Sequence, residues 1–215
     1  MRNMINNNKK ILAFLSLLSE NNNREWFDLN RAYYKEVKSY FVEIAEKLIE
    51  NIGIFDVGVR YETVKSSVFR INRDIRFSND KRPYKTNFGV FIASGGKKSG
   101  NAGYYLHFEP NNCFFAGGIY CPSNENLKKI RWYIYENINV FLKIITKNEF
   151  VSEFGEIIGS KLQKPPRGFD KDFEHIELLK FKDYLVSKNI IDTELFSDNF
   201  VENLTERFYK MYEFN

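Results

Sequence analysis

Apolar positions along this chain keep two different periods, and the change between them divides it. Ile11, Phe14, Leu15 and Leu18 fall at i, i+3, i+4 and i+7, the stripe of a short helix that Asn21-Asn22-Asn23 ends. Asn22 followed three residues later by Glu25 makes a capping-box pattern. Trp26, Tyr33, Val37, Phe41, Ile44 and Leu48 then hold helical spacing, which predicts one long helix running to near Gly53. From Ser67 the period falls to two. Strands are predicted over Ser67 to Phe77, Thr86 to Ala93, Gly103 to Glu109 and Cys113 to Tyr120, with turns at Ser94 to Gly100 and Pro110-Asn111-Asn112. The short connections between the last three favour an antiparallel meander. Pro122-Ser123 opens a further helix with Leu127, Ile130, Ile134 and Ile138 on one face and Ser123 as N-cap. Helical segments are also expected over Val140 to Thr146, Glu149 to Ser160 and Asn199 to Tyr212, with a break at Lys164-Pro165-Pro166-Arg167-Gly168. The expected architecture is a single α+β domain over 1–215: helices in 1–53, an antiparallel sheet of about four or more strands in 60–121, and helices in 122–215.

Composition narrows the class without naming an activity. Hydrophobic residues at 43% and aromatics at 17% exclude a disordered chain. Uncharged apolar runs such as Ile11 to Leu18 fall far short of the roughly 20 residues of a spanning helix, so no membrane partner is expected. Met1 to Lys10 leads into an amphipathic helix with no small-residue cleavage site, which predicts no signal peptide and a cytoplasmic chain. Cys113 and Cys121 sit at opposite ends of one predicted strand, roughly 26 Å apart at about 3.3 Å per residue, and are expected as free thiols. With His107 and His175 as the sole histidines and no metal-ligand spacing, neither a metal nor a cofactor is predicted.

Charge changes the picture. The net charge of +4 is mild, but Arg60 to Lys98 carries ten basic residues against Glu62, Asp74 and Asp80, a local +7 with −3 on the rest. Within it, strand alternation would gather Arg70, Asn72, Asp74 and Arg76 on a polar face, with Phe69, Ile71, Ile75 and Phe77 behind. Arg73 breaks that alternation and needs either a carboxylate partner or a bulge. Pro83 fixes the following loop, from which Lys81, Tyr84 and Lys85 could fold back over the strand end. Arg70, Arg73, Asp74, Arg76, Lys81, Tyr84 and Lys85 thus form the candidate ligand-binding set, suited to an anionic small molecule such as a phosphate, nucleotide or carboxylate. A nucleic acid met by the same basic segment with Tyr84, Tyr104 and Tyr105 as stacking platforms, or an acidic protein partner, are the alternatives. His107 with Glu109 is the one pair suited to general acid/base work, and Asp74 could orient the arginines or act as a base. Gly95-Gly96-Lys97-Lys98-Ser99-Gly100 precedes a strand and reads as a hairpin tip. Gly117-Gly118 reads as a bulge or a close backbone approach.

These residues also carry a resemblance. The stretch Arg70, Arg73, Asp74, Arg76, Phe77, Asp80, Lys81 and Tyr84 is similar to the R-x-x-R-D-x-R-F motif of the widespread, largely bacterial family filed as domain of unknown function 2461. The likeness extends to Asn22-Asn23-Arg24-Glu25-Trp26-Phe27, Tyr105-Leu106-His107-Phe108-Glu109-Pro110 and Pro166-Arg167-Gly168-Phe169-Asp170. It implies one full-length domain of about this size and supplies no activity, cofactor or substrate.

Overall fold

The computed structural model describes residues 4–215; Met1, Arg2 and Asn3, which the expected helical segment 1–53 includes, lie outside the described residues. The N-terminal third is helical: α1 (Met4–Glu20), α2 (Arg24–Leu29) and α3 (Arg31–Phe55). The predicted long helix is broken at Asn30, and its cap lies one residue later than expected: the Asn23 side chain accepts from the Trp26 N–H. Asn22 is free for another task, described below. A 3-10 turn (Val57–Val59) and the short α4 (Val64–Ser67) lead to the sheet, whose strands β1 (Phe88–Ile92), β2 (Gly103–Phe108) and β3 (Phe114–Ile119) form the expected antiparallel meander. Next come α5 (Asn124–Glu136), α6 (Ile138–Ile145), α7 (Asn148–Phe154) and α8 (Ile176–Leu179). β4 (Tyr184–Asn189), α9 (Asp192–Leu195) and α10 (Phe200–Tyr209) complete the chain. Ser123 caps α5 as its sequence predicts.

Two strand expectations change. Ser67 to Phe77 is not a strand: past the end of α4 it touches the sheet through one isolated bridge, Val68 to Val90, pairs once within its own loop, Asn72 to Tyr84, and is otherwise irregular. The fourth strand is instead β4, which pairs antiparallel with β3 from Phe114↔Asn189 to Ile119↔Tyr184, giving the order β1-β2-β3-β4.

Because the side-chain period in a strand is two, register assigns every position to a face. Phe88, Val90 and Ile92 stand opposite Phe108, Leu106 and Tyr104, and with Phe115 and Val186 they form the inner face. Helices α1, α3 and α10 cover it with their own stripes, Ile11/Phe14/Leu15/Leu18, Val37/Phe41/Ile44/Leu48/Ile52 and Phe200/Val201/Leu204/Phe208, all buried in one cluster. Edge-to-face contacts of Phe41 with Phe108 at 5.7 Å and Tyr104 with Phe208 at 5.4 Å join the layers. Close approach demands glycine at the β3 end of this face. A Cβ at Gly117 would sit 1.9 Å from Met211 Sδ, and Gly118, at φ +106°, lies against the Tyr184 carbonyl. A second cluster of Ile119, Leu127, Ile134, Phe141, Leu179, Phe181 and Tyr184 packs α5 and α6 beside the β3–β4 end. No helix among the described residues is long and apolar enough to cross a membrane.

Candidate functional site

The basic segment folds as a loop whose charges answer one another. Arg73 Nη1 donates to Asp80 Oδ2 at 2.6 Å and to the Arg82 carbonyl at 3.2 Å, so its partner is a carboxylate of the same loop. Arg82 grips the same Asp80 through Nη2 at 2.7 Å. Arg76 forks onto Asp74 through Nε at 2.9 Å and Nη2 at 2.7 Å. These bonds, from Arg82 and then from Arg73, hold the Asp80 carboxyl well below the usual carboxylate range, and those from Arg76 lower Asp74. Lys81 donates to the Ile75 carbonyl. Phe77, expected behind the polar face, is 95% exposed, while Ile71 is buried. Tyr84 is turned inward: it stacks on Phe27 with ring centroids 3.9 Å apart, and Asn22 clamps its backbone with bonds at 3.0 and 3.1 Å. The loop is therefore anchored at its base and bound within itself at its tip. Arg70 is exposed and forms no ion pair among the described residues.

Lys85 is placed differently from the other members of the set. Its ammonium lies 5.1 Å from the Phe69 ring centroid and forms no ion pair among the described residues, and burial, with Arg70 nearby, lowers its pKa. It stands on the wall of a cleft of about 660 Å³ that occupies the outer face of the sheet. Register explains the hollow. The outward positions Ala116 and Gly118 are small, whereas Phe91, Tyr105, Phe114 and Leu185 are large, so the face has a floor and walls. Phe69 and Tyr120 extend the aromatic lining, Asn87 and Asn101 add amides, and Lys97 is a second cation in the lining. Burial, with Lys98 nearby, lowers the Lys97 pKa, and its ammonium bonds the Lys65 carbonyl at 2.7 Å. No carboxylate lines the cleft.

His107 and Glu109, expected as a pair, are brought together on the same sheet face, next to the cleft residues Tyr105 and Phe114, and joined to a third residue. Tyr105 Oη is 2.8 Å from His107 Nδ1, and His107 Nε2 is 3.2 Å from Glu109 Oε2. Thr86 Oγ1 and Asn112 Nδ2 also donate to Glu109, each at 2.8 Å. Burial pushes Glu109 up, but the bonds from Asn112, Thr86 and His107 outweigh it and hold the carboxyl below its ordinary range. Burial lowers the His107 imidazole against the opposing pull of Glu109, and raises the Tyr105 hydroxyl to about 12. Phe114 stacks on His107 at 4.6 Å, and the Tyr105 hydroxyl overlies Gly89, where a Cβ would come within 2.9 Å of it. Asp74, the third acid/base candidate, lies outside this chain, paired with Arg76 in the loop. The sequence reading missed Phe91, Asn87, Asn101 and Phe114, along with the small residues between them. Their signal was the alternation of bulky and small outward positions, which has meaning only once strand register is known.

Among the described residues no group of three or more His, Cys, Asp or Glu side chains is placed to hold a metal ion. Cys113 is buried and Cys121 exposed, and neither is in a disulfide.

An α+β domain with helices on one sheet face and a basic, aromatic cleft on the other is the class these features define. The chain belongs to the family described as conserved hypothetical protein (DUF2461), whose family model matches residues 10–215. No curated protein and no solved structure matches it.

Proposed function

We propose that the protein binds a small planar anion in the cleft on the outer face of the sheet. The observation that carries this reading is the composition of the lining: two lysines, two asparagines and five aromatic rings, with no carboxylate. A cation held partly out of water without a counter-charge costs free energy that an incoming anion relieves. Lys85 is such a cation, and Arg70 beside it increases the local positive potential. Flat aromatic walls favour a planar ligand through stacking. A volume of about 660 Å³ falls in the range of small-molecule sites. In this reading Lys85 and Lys97 contact the ligand directly. Arg73, Arg76 and Lys81, engaged within their loop, attract it from a distance, and Tyr84 anchors that loop.

Thermal unfolding with phosphate, benzoate and AMP, each compared with chloride at equal ionic strength, tests this. A ligand at a hundred times its Kd stabilises by about 2.7 kcal/mol, a rise of roughly 5–11 °C for a chain of this size. Benzoate or AMP is expected to raise the Tm of the wild type and to lose most of that effect on Lys85→Met. If none of the three exceeds chloride, the reading fails. Stabilisation by oligonucleotides alone, falling steeply with salt, would replace it with nucleic-acid binding.

A further inference from the structure

The hydrogen-bond chain that starts at Tyr105 in the cleft lining has a direction, and the direction specifies a chemistry. Glu109 accepts from Thr86, Asn112 and His107 and is held ionised, so His107 Nε2 must bring the proton to their 3.2 Å contact. A bare Nε2 would set its lone pair against the carboxylate. The neutral ring then has an unprotonated Nδ1, and the Tyr105 hydroxyl donates to it across 2.8 Å. With its proton committed inward, the Tyr105 oxygen offers lone pairs, and Tyr105 lines the cleft.

From this geometry we propose that Tyr105 is the proton-accepting group of the cleft, that His107 and Glu109 are the relay positioning it, and that the substrate is a planar, weakly acidic molecule whose conjugate base is an anion. In the step, a substrate C–H or O–H bond breaks and its electron pair stays with the substrate. The proton forms a new bond to Tyr105 Oη as the original Tyr105 proton passes to His107 Nδ1. His107 becomes an imidazolium facing the Glu109 carboxylate, Tyr105 stays neutral, and the new substrate anion lies in a lining that holds Lys85 and Lys97. The proton later leaves His107 for product or solvent. The relay is what makes this chemistry available to a phenol. A hydroxyl raised to about 12 has no free phenolate near neutrality, so it can accept a proton only as it hands its own on. Around His107, Tyr105 lies on β2 and Glu109 just past its end, Gly89 opposite on β1 and Phe114 on β3; of these only Glu109 carries a charge.

The proposal rests on the cleft being the ligand site, and one probe separates the two. Base-induced loss of the C3 proton of 5-nitrobenzisoxazole turns its C–H pair into the third bond of a nitrile. The N–O pair leaves on oxygen, giving coloured 2-cyano-4-nitrophenolate. Wild-type protein is expected to open the ring with a kcat/KM about a hundredfold above Tyr105→Phe and His107→Gln. The wild-type rate should fall with pH as His107 protonates, below the ordinary histidine value, because the neutral ring is the acceptor. Binding of the phenolate product is measured separately by calorimetry on the same proteins, and Tyr105→Phe, which keeps the ring, is expected to retain it. Product that binds the wild type while the wild type and both variants open the ring at equal rates overturns the relay alone. The same holds if Tyr105→Phe is slow and His107→Gln is not. Absence of product binding to the wild type overturns the cleft reading and this one with it.

Discussion

Replacing Glu153 by alanine should weaken the fold far more than replacing its neighbour Glu194, although both carboxylates bond the same arginine. Glu153 on α7 accepts from Arg207 Nε at 2.6 Å and from Lys210 Nζ at 2.6 Å, and its side chain is 11% exposed. Arg207 is 15% exposed and lies over the Phe115 ring at 4.3 Å, where it cannot turn to water without leaving the core. Glu194 meets Arg207 Nη1 at 3.0 Å but is 39% exposed. Breaking a buried pair by removing one partner costs about 3–5 kcal/mol. The low end applies here because Arg207 keeps Glu194, so about 3 kcal/mol is expected, a Tm lower by roughly 6–12 °C. The exposed partner should cost about 1 kcal/mol or less. Urea and thermal denaturation of Glu153→Ala, Glu194→Ala and the double variant Glu153→Ala/Arg207→Met would measure this. The double variant should be at least as stable as Glu153→Ala, since methionine keeps contact with Phe115 without a stranded charge. Burial raises the Glu153 pKa, but bonds from Lys210 and Arg207 outweigh it and leave the carboxyl below its ordinary value. With a depressed folded-state pKa, the extra stability is present above about pH 4.5 and is lost as pH falls through the lower value. The gap between wild type and Glu153→Ala should therefore close in acid. Equal costs at the two glutamates, or a gap indifferent to pH, would refute the reasoning.

The glycines and the loop give two further tests. Gly118→Ala places a Cβ 2.0 Å from the Tyr184 carbonyl oxygen at φ +106° and should cost about 3 kcal/mol or more in urea titrations. Gly155→Ala, at φ +70° with nothing within 4 Å, should cost about 1–2 kcal/mol. Asp80→Asn withdraws the charge that holds Arg73 and Arg82; with Tyr84 still seated on Phe27, the Tm should change little while trypsin cleaves the loop after Arg73 and Arg76 faster than in the wild type. An unchanged cleavage rate would mean that the ion pairs do not order the loop.

The three meander strands were readable because each has two or more inward apolar residues alternating between turn signals. The segment Ser67 to Phe77 carries the same alternation for another reason. Ile71 is its one fully buried apolar residue, and Arg73, Asp74 and Arg76 bond within the loop rather than across a ladder. Period two says that alternate residues differ; it does not say that a neighbouring strand exists to pair with them. β4 was missed from the other side. Tyr184 and Val186 are its only fully inward positions, too few to stand out beside Phe181 and Leu185, and its partner β3 is far away in sequence. The candidate site divides in the same way. His107 with Glu109 was visible because two polar residues on a strand face need a purpose. The cleft was not, because its floor is set by small residues, Ala116 and Gly118, between large ones on neighbouring strands.

The pairing of β3 with β4 also bears on how quickly the molecule is made. Phe114 and Asn189 are aligned partners although the chain between them contains α5 to α8, so this half of the sheet closes a loop many times longer than either hairpin. Loop closure entropy must be met before such a contact stabilises anything, and topologies rich in distant pairings fold slowly. Until residues 184–189 have been synthesised and docked, β3 presents an open edge, and Gly117 and Gly118 at its end offer little side-chain shielding. The helices and hairpins can form early from local contacts. Arrival of β4 is the event that removes an aggregation-prone edge, so substitutions in that strand should show their effect first as lost yield during synthesis, before any change in the ligand site can be measured.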